Sequence, residues 1–88
     1  METNRLFELT DKKVKSVNEQ VAFLIDAEKA ELDIVHPNDL IDNKKLKVAA
    51  CKIVRKKLTE IYALIEKIEE QEKEDIINIE SMIDESML

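Results

Sequence analysis

Glycine is absent from this chain, and proline occurs once, at Pro37. These two residue types are the strongest local breakers of regular structure, so their scarcity excludes a fold rich in tight turns. It also excludes a glycine-rich phosphate loop. Tryptophan is missing and aromatic residues make up only 3% of the chain. The core is therefore left to Ile, Leu, Val and Ala, a palette suited to packing helix on helix. A single cysteine, Cys51, excludes an internal disulfide and leaves no Cys/His set for a structural zinc. The one histidine, His36, is distant in sequence from Ser16, Ser81 and Ser86, so no nucleophile and base stand together. No apolar run approaches the roughly 20 residues that span a bilayer. Met1 to Arg5 lacks the basic start and apolar run of a signal peptide. The expectation is a cytoplasmic protein with no membrane contact, no cofactor and no metal.

What remains is a chain of 88 residues, 44% apolar and 39% charged, with a net charge of −6. That apolar content is too high for a disordered chain, and the length allows one domain, 1–88. Abundant Glu, Lys, Leu, Ile and Ala is the composition of bundles and coiled coils. The bias toward Ile, Lys, Asn and Glu also fits an AT-rich genome, such as that of a low-GC bacterium or its phage.

Val14, Val17, Val21 and Leu24 recur at steps of three, four and three, one stripe of a helix. Thr10 and Asp11 read as an N-cap and an acidic first turn. Pro37 disfavours helical geometry at His36. The first helix is thus expected over 10–35, with Leu6, Phe7 and Leu9 before it in no clear register. Asn38 or Asp39, with Asp42 as an alternative, is positioned to cap the second helix. Over 38–68 the apolar spacing Leu46, Ala50, Ile53 or Val54, Leu58, Ile61, Ile65, Ile68 is a three-four repeat of coiled-coil type. Glu69 to Asp75 contains no apolar residue, and Ile76, Ile79, Ile83 and Met87 then share a face. Residues 69–88 are read as an acidic helical extension or a third helix. The core expected from these stripes is Val14, Val17, Val21, Leu24, Leu46, Ile53, Leu58, Ile61, Ile65 and Ile68.

Lengths bear on the architecture. At about 1.5 Å per residue the first helix measures roughly 39 Å and a continuous second helix roughly 75 Å. Folded as an antiparallel hairpin, the chain sets Thr10 near Ile65 and leaves everything beyond Ile68 without a helix to lie on. A fold-back through Glu69–Asp75 needs a turn, and that stretch has no Gly, Pro, Asn or Ser. The reading favoured is all-α, a long helical hairpin hinged at Pro37 that completes a four-helix or coiled-coil bundle by self-association.

Charge is segregated. Lys44, Lys45, Lys47, Lys52, Arg55, Lys56 and Lys57 give 44–57 a charge of +7 with no acid, whereas 58–88 carries −8 and 1–43 carries −5. On a helical wheel Lys44, Lys45, Lys52, Arg55 and Lys56 fall within about a third of the circumference. Such a stripe is a solvated face paired with acids, a docking strip for an acidic protein, or a contact for nucleic-acid phosphates. The acidic C-terminal third offers the converse, an inhibitor that imitates nucleic acid. Asp33-Ile34-Val35-His36 has the spacing of half a bundle di-iron motif, but His36 stands beside Pro37 at a helix end, and the further buried glutamate such a site needs has only Glu28 and Glu31 as unremarkable candidates; the histidine reads as a hinge residue capping helix-end carbonyls. Cys51, on the boundary of the apolar face, reads as a small hydrophobe.

The functional expectation is a non-enzymatic protein–protein interaction or regulatory module that forms a homodimer. Its partner-binding residues are Ile76, Ile79, Met82, Ile83 and Met87, an apolar face otherwise left in water. The alternative is a nucleic-acid-binding protein that uses the basic face.

Overall fold

The computed structural model describes the backbone of residues 2–87 and the side chains of residues 3–85. Within that span the chain is all-α, with two helices and no strand: α1 (Glu2–Glu31) and α2 (Pro37–Met87). They run antiparallel as a rod of 78 × 16 × 15 Å. The radius of gyration is 21.5 Å, against about 12 Å for a compact domain of this length.

The bend forms where the sequence withdraws helical hydrogen bonding. After Glu31 the chain tightens, as the amides of Leu32, Asp33 and Ile34 donate to the carbonyls of Lys29, Ala30 and Glu31 at 3.1–3.3 Å. These three-residue steps are the usual way a helix closes its last turn. Pro37 has no amide to offer and a φ already suited to a first helical turn. It therefore opens α2, and the His36 carbonyl accepts the first bond of that helix, from the Leu40 amide at 3.1 Å. His36 thus occupies the cap position expected of Asn38 or Asp39. Asp39 instead lies in the first turn, where its carboxylate faces the positive end of the helix dipole. Consequently α1 stops at Glu31, four residues short of the expected end.

At its other end α1 begins at Glu2 rather than at Thr10. Thr10 is interior to the helix, its hydroxyl donating 2.8 Å back to the Leu6 carbonyl. The helix extends because Thr3, Leu6 and Thr10 continue its half-buried row. α2 is also longer than either expected segment, since it passes through Glu69–Asp75 without a break. Glu, Lys and Gln are good helix formers, and Lys73 pairs with Glu69 one turn earlier at 3.7 Å. There is no third helix among the described residues.

Residues withdrawn from solvent recur in alternating steps of three and four, from Thr3 to Glu31 in α1 and from Leu40 to Asp75 in α2. One stripe of each helix thus faces the other, but the seam between them is thin and mixed. Among the described residues only Ala50 and Ile68 are truly buried, at 3% and 7% exposure. Thr10, Lys13, Gln20, Asn43, Lys47 and Lys57 all occupy seam positions. Long-range polar contacts fix the register. Lys13 Nζ lies 2.6 Å from Glu60, Asn43 Nδ2 donates to the Ala27 carbonyl at 3.0 Å, and Lys47 bridges Glu28 and Glu31 at 2.8 and 3.0 Å. In that register Gln20 and Phe23 lie beside Leu46, Ala50 and Ile53, and Leu6 and Leu9 lie beside Lys67 and Gln71.

The expected core divides in two. Val17, Leu24, Ile61 and Ile68 are on the seam, whereas Val14, Val21, Leu46, Ile53, Leu58 and Ile65 are outside it and remain 39–56% exposed. Each helix touches a single neighbour, so only one part of its apolar arc is covered.

Candidate interaction surface

The uncovered apolar residues are not scattered. The seam steps leave two flanks on the rod. On one, Phe7, Val14, Val21 and Ile25 of α1 stand beside Val48, Cys51, Leu58, Tyr62 and Ile65 of α2. The same stripe of α2 starts at Ile41 and, at steps of three, four and seven, resumes beyond the acidic run as Ile76, Ile79 and Ile83. Of the twenty large apolar side chains left exposed among the described residues, twelve are on this flank. Random scatter would divide them more evenly, so the flank is a feature of the fold rather than ordinary surface hydrophobicity.

The opposite flank is shorter. There Phe23, Leu46 and Ile53 line a groove of about 300 Å³ floored by Ala50. Toward the open end of the hairpin this flank becomes charged, through Glu60, Lys67 and Glu74. An open cleft of about 480 Å³ lies there between Arg5, Leu9, Lys67, Glu70 and Glu74.

The residues expected to bind a partner lie on the part of α2 that projects beyond the start of α1. Ile76, Ile79 and Ile83 are 52–56% exposed and in phase with the long flank, while Met82, at 66%, borders that stripe in phase with the seam. The side chain of Met87 lies outside the described residues. Sequence reading missed Phe7, Val14, Val21, Val48 and Tyr62 as members of the same surface. Their signal was present as the second three-four row beside the seam, interrupted by Arg55, Glu69 and Glu72.

The basic run is split by the fold. Lys44 is bound to Glu31 at 2.6 Å, and Lys47 completes a Glu28–Lys47–Glu31 bridge at the bend. The hydrogen bond from Lys44, then that from Lys47, holds the Glu31 carboxyl below the usual carboxylate range. Glu28, then Glu31, pushes the Lys47 ammonium up. The hydrogen bond from Lys13 likewise lowers Glu60. By contrast Lys45, Lys52, Arg55 and Lys56 are exposed and form no ion pair among the described residues.

Asp33 and His36 are both exposed in the 32–36 bend, beside Leu32 and Val35 at 88% and 87% exposure. Among the described residues no three His, Cys, Asp or Glu side chains gather as a metal site. No described helix is long and apolar enough to cross a membrane. Compared with protein-family models, curated proteins and solved structures, the chain matches none of them.

Proposed function

We propose that this chain is a non-enzymatic protein–protein interaction module, a helical rod that offers one apolar flank to another helix. The observation that carries the reading is the alignment of Val48, Leu58, Tyr62 and Ile65 with Ile76, Ile79 and Ile83 along a single unbroken α2. A row of apolar anchors at heptad spacing is what a helix-in-groove or bundle contact requires. The total surface supports it. The chain exposes 7356 Å², whereas a compact monomer of this mass exposes about 5,300 Å².

The test compares two full-length variants that retain helicity by circular dichroism. Leu58→Glu with Ile65→Glu should abolish association, whether with itself or with protein from a cell extract of its source. Leu46→Glu with Ile53→Glu, on the other flank, should preserve it. A full chain that shows no association sensitive to the first pair would overturn the reading.

Nucleic-acid contact is a second reading, favoured by the four exposed cations Lys45, Lys52, Arg55 and Lys56, which form no ion pair among the described residues. Four such groups provide sequence-blind, salt-sensitive affinity. It is placed second because Lys44 and Lys47 of the same run already bind acids within the hairpin. Fluorescence anisotropy with a labelled DNA duplex at 150 mM salt decides it, with no binding expected.

A further inference from the structure

The geometry points to a second copy of this chain as the occupant of the long flank, with the two α2 helices antiparallel and crossing a two-fold axis between Tyr62 and Ile65. The inference rests on the interaction-module reading and names its partner.

Charge selects the orientation. The basic stretch 44–57 and the acidic stretch beyond it lie on the same helix on either side of that axis. An antiparallel copy lays 44–57, at +7, along 70–83 of its neighbour. That segment carries Glu70, Glu72, Glu74, Asp75 and Glu80 against Lys73 alone. A parallel copy would stack like charge on like charge along the whole length, which is costly across an interface.

The heptad phase then selects the register. The flank contains three kinds of interruption to its apolar row: Lys44 near the bend, Arg55 in the middle, and Glu69 with Glu72 in the acidic run. With the axis between Tyr62 and Ile65, Tyr62 meets the other copy's Ile65. Arg55 meets its Glu72, Cys51 its Ile76, and Val48 its Ile79. This register also sets Leu58 beside Glu69 and Lys44 beside Ile83, but a shift of one heptad in either direction loses the charge pair and sets both Arg55 and Glu72 against apolar residues. The two Arg55–Glu72 contacts therefore pin the pairing, as a charged residue in an apolar row does in coiled coils.

Area and length agree with this arrangement. The surface in excess of a compact chain, about 2,000 Å², exceeds the roughly 800 Å² per partner of a standard interface. The axis falls within two residues of the midpoint of α2 (Pro37–Met87), so the helices overlap almost end to end. The dimer is consequently no longer than one chain, near 78 Å. The projecting end of each α2 comes to lie against the bend half of the other copy, covering Ile25 and Val48.

Light scattering on the full-length chain gives the mass, and small-angle scattering gives the length; a doubled mass with a maximum dimension near 80 Å is expected. Cys51 reports the register. In one chain it lies 25 residues, about 37 Å, from Ile76, so Ile76→Cys has no disulfide to form internally. Under mild oxidation Ile76→Cys should form a covalent dimer, while the natural chain, whose two Cys51 lie about 37 Å apart in this arrangement, should not. Arg55→Glu or Glu72→Arg alone should raise the dissociation constant about tenfold, and the combined swap should restore it.

A monomer at all concentrations overturns the proposal. If its capture of another protein remains sensitive to Leu58→Glu with Ile65→Glu, the interaction-module reading survives. A monomer that instead binds the DNA duplex overturns both. A dimer in which the natural chain cross-links through Cys51, or one of about twice the length, overturns the antiparallel register.

Discussion

Tenfold dilution should lower the melting temperature of the full-length chain by about 4 °C, a magnitude that follows from how little of each chain is buried alone. With Ala50 and Ile68 alone sealed from water among the described residues, a lone hairpin should melt well below the proposed dimer, so at the dimer's midpoint dissociation and unfolding form one step. The unfolding entropy is about 2.1 cal/mol/K per residue, or roughly 370 cal/mol/K for two chains melting together. Tenfold dilution shifts the free energy of a two-chain equilibrium by about 1.4 kcal/mol, and the quotient is about 4 °C. Circular dichroism at 222 nm between 1 and 100 μM should therefore show midpoints about 8 °C apart. Leu58→Glu with Ile65→Glu should remove the concentration dependence and leave a much less stable helix pair. Superimposable melting curves for the natural chain would refute the reasoning, because they would show that one hairpin is a complete folding unit.

Gln20 is a polar seam residue beside Ala50 and Ile53, so Gln20→Leu should stabilise the protein by about 1–2 kcal/mol in urea denaturation. Asn43 Oδ1 is buried without a hydrogen-bond partner, and Asn43→Leu should raise stability by about 1 kcal/mol. A loss there would mean the bond from Nδ2 to the Ala27 carbonyl outweighs the orphaned oxygen. The bend and mid-rod ion pairs predict a stability plateau with two limbs. Glu31 and Glu60 have lowered carboxyl pKa values, so their contribution is present above the ordinary carboxylate range and is lost as pH falls below about 4.5. Lys47 is raised, so its contribution holds below about 10.5 and is lost as pH climbs through its still higher folded value. Chemical denaturation against pH should show both limbs, with the acid limb flattened by Glu31→Gln.

The hairpin was legible because nothing but Pro37 competes with helix formation over a long span. Its boundaries were less so. Thr10 has the chemistry of a cap, yet the half-buried row of Thr3, Leu6 and Thr10 carries α1 back to Glu2. A single strand of sequence shows two adjacent three-four rows in each helix, Val14 with Val21 and Val17 with Leu24. Which row meets the sister helix is settled by partners distant in sequence, such as Lys13 with Glu60 and Lys47 with Glu28. The projecting face of Ile76, Ile79 and Ile83 was visible from spacing. Its continuity with Tyr62 and Ile65 was hidden, because Glu69 and Glu72 occupy the row between them and disguise its phase.

An uninterrupted α2 makes orientation a matter of counting. Each residue between Ile65 and Ile76 sets the angle at which the terminal isoleucines face, by about 100° per position. Removing Lys73 alone would swing Ile76, Ile79 and Ile83 off the flank without altering a single apolar side chain. Removing seven residues there would shorten the rod by about 10 Å and leave the face where it was. The acidic run thus works as a ruler as well as a source of charge: a change in its length keeps the terminal isoleucines on the flank when it is a whole number of heptads.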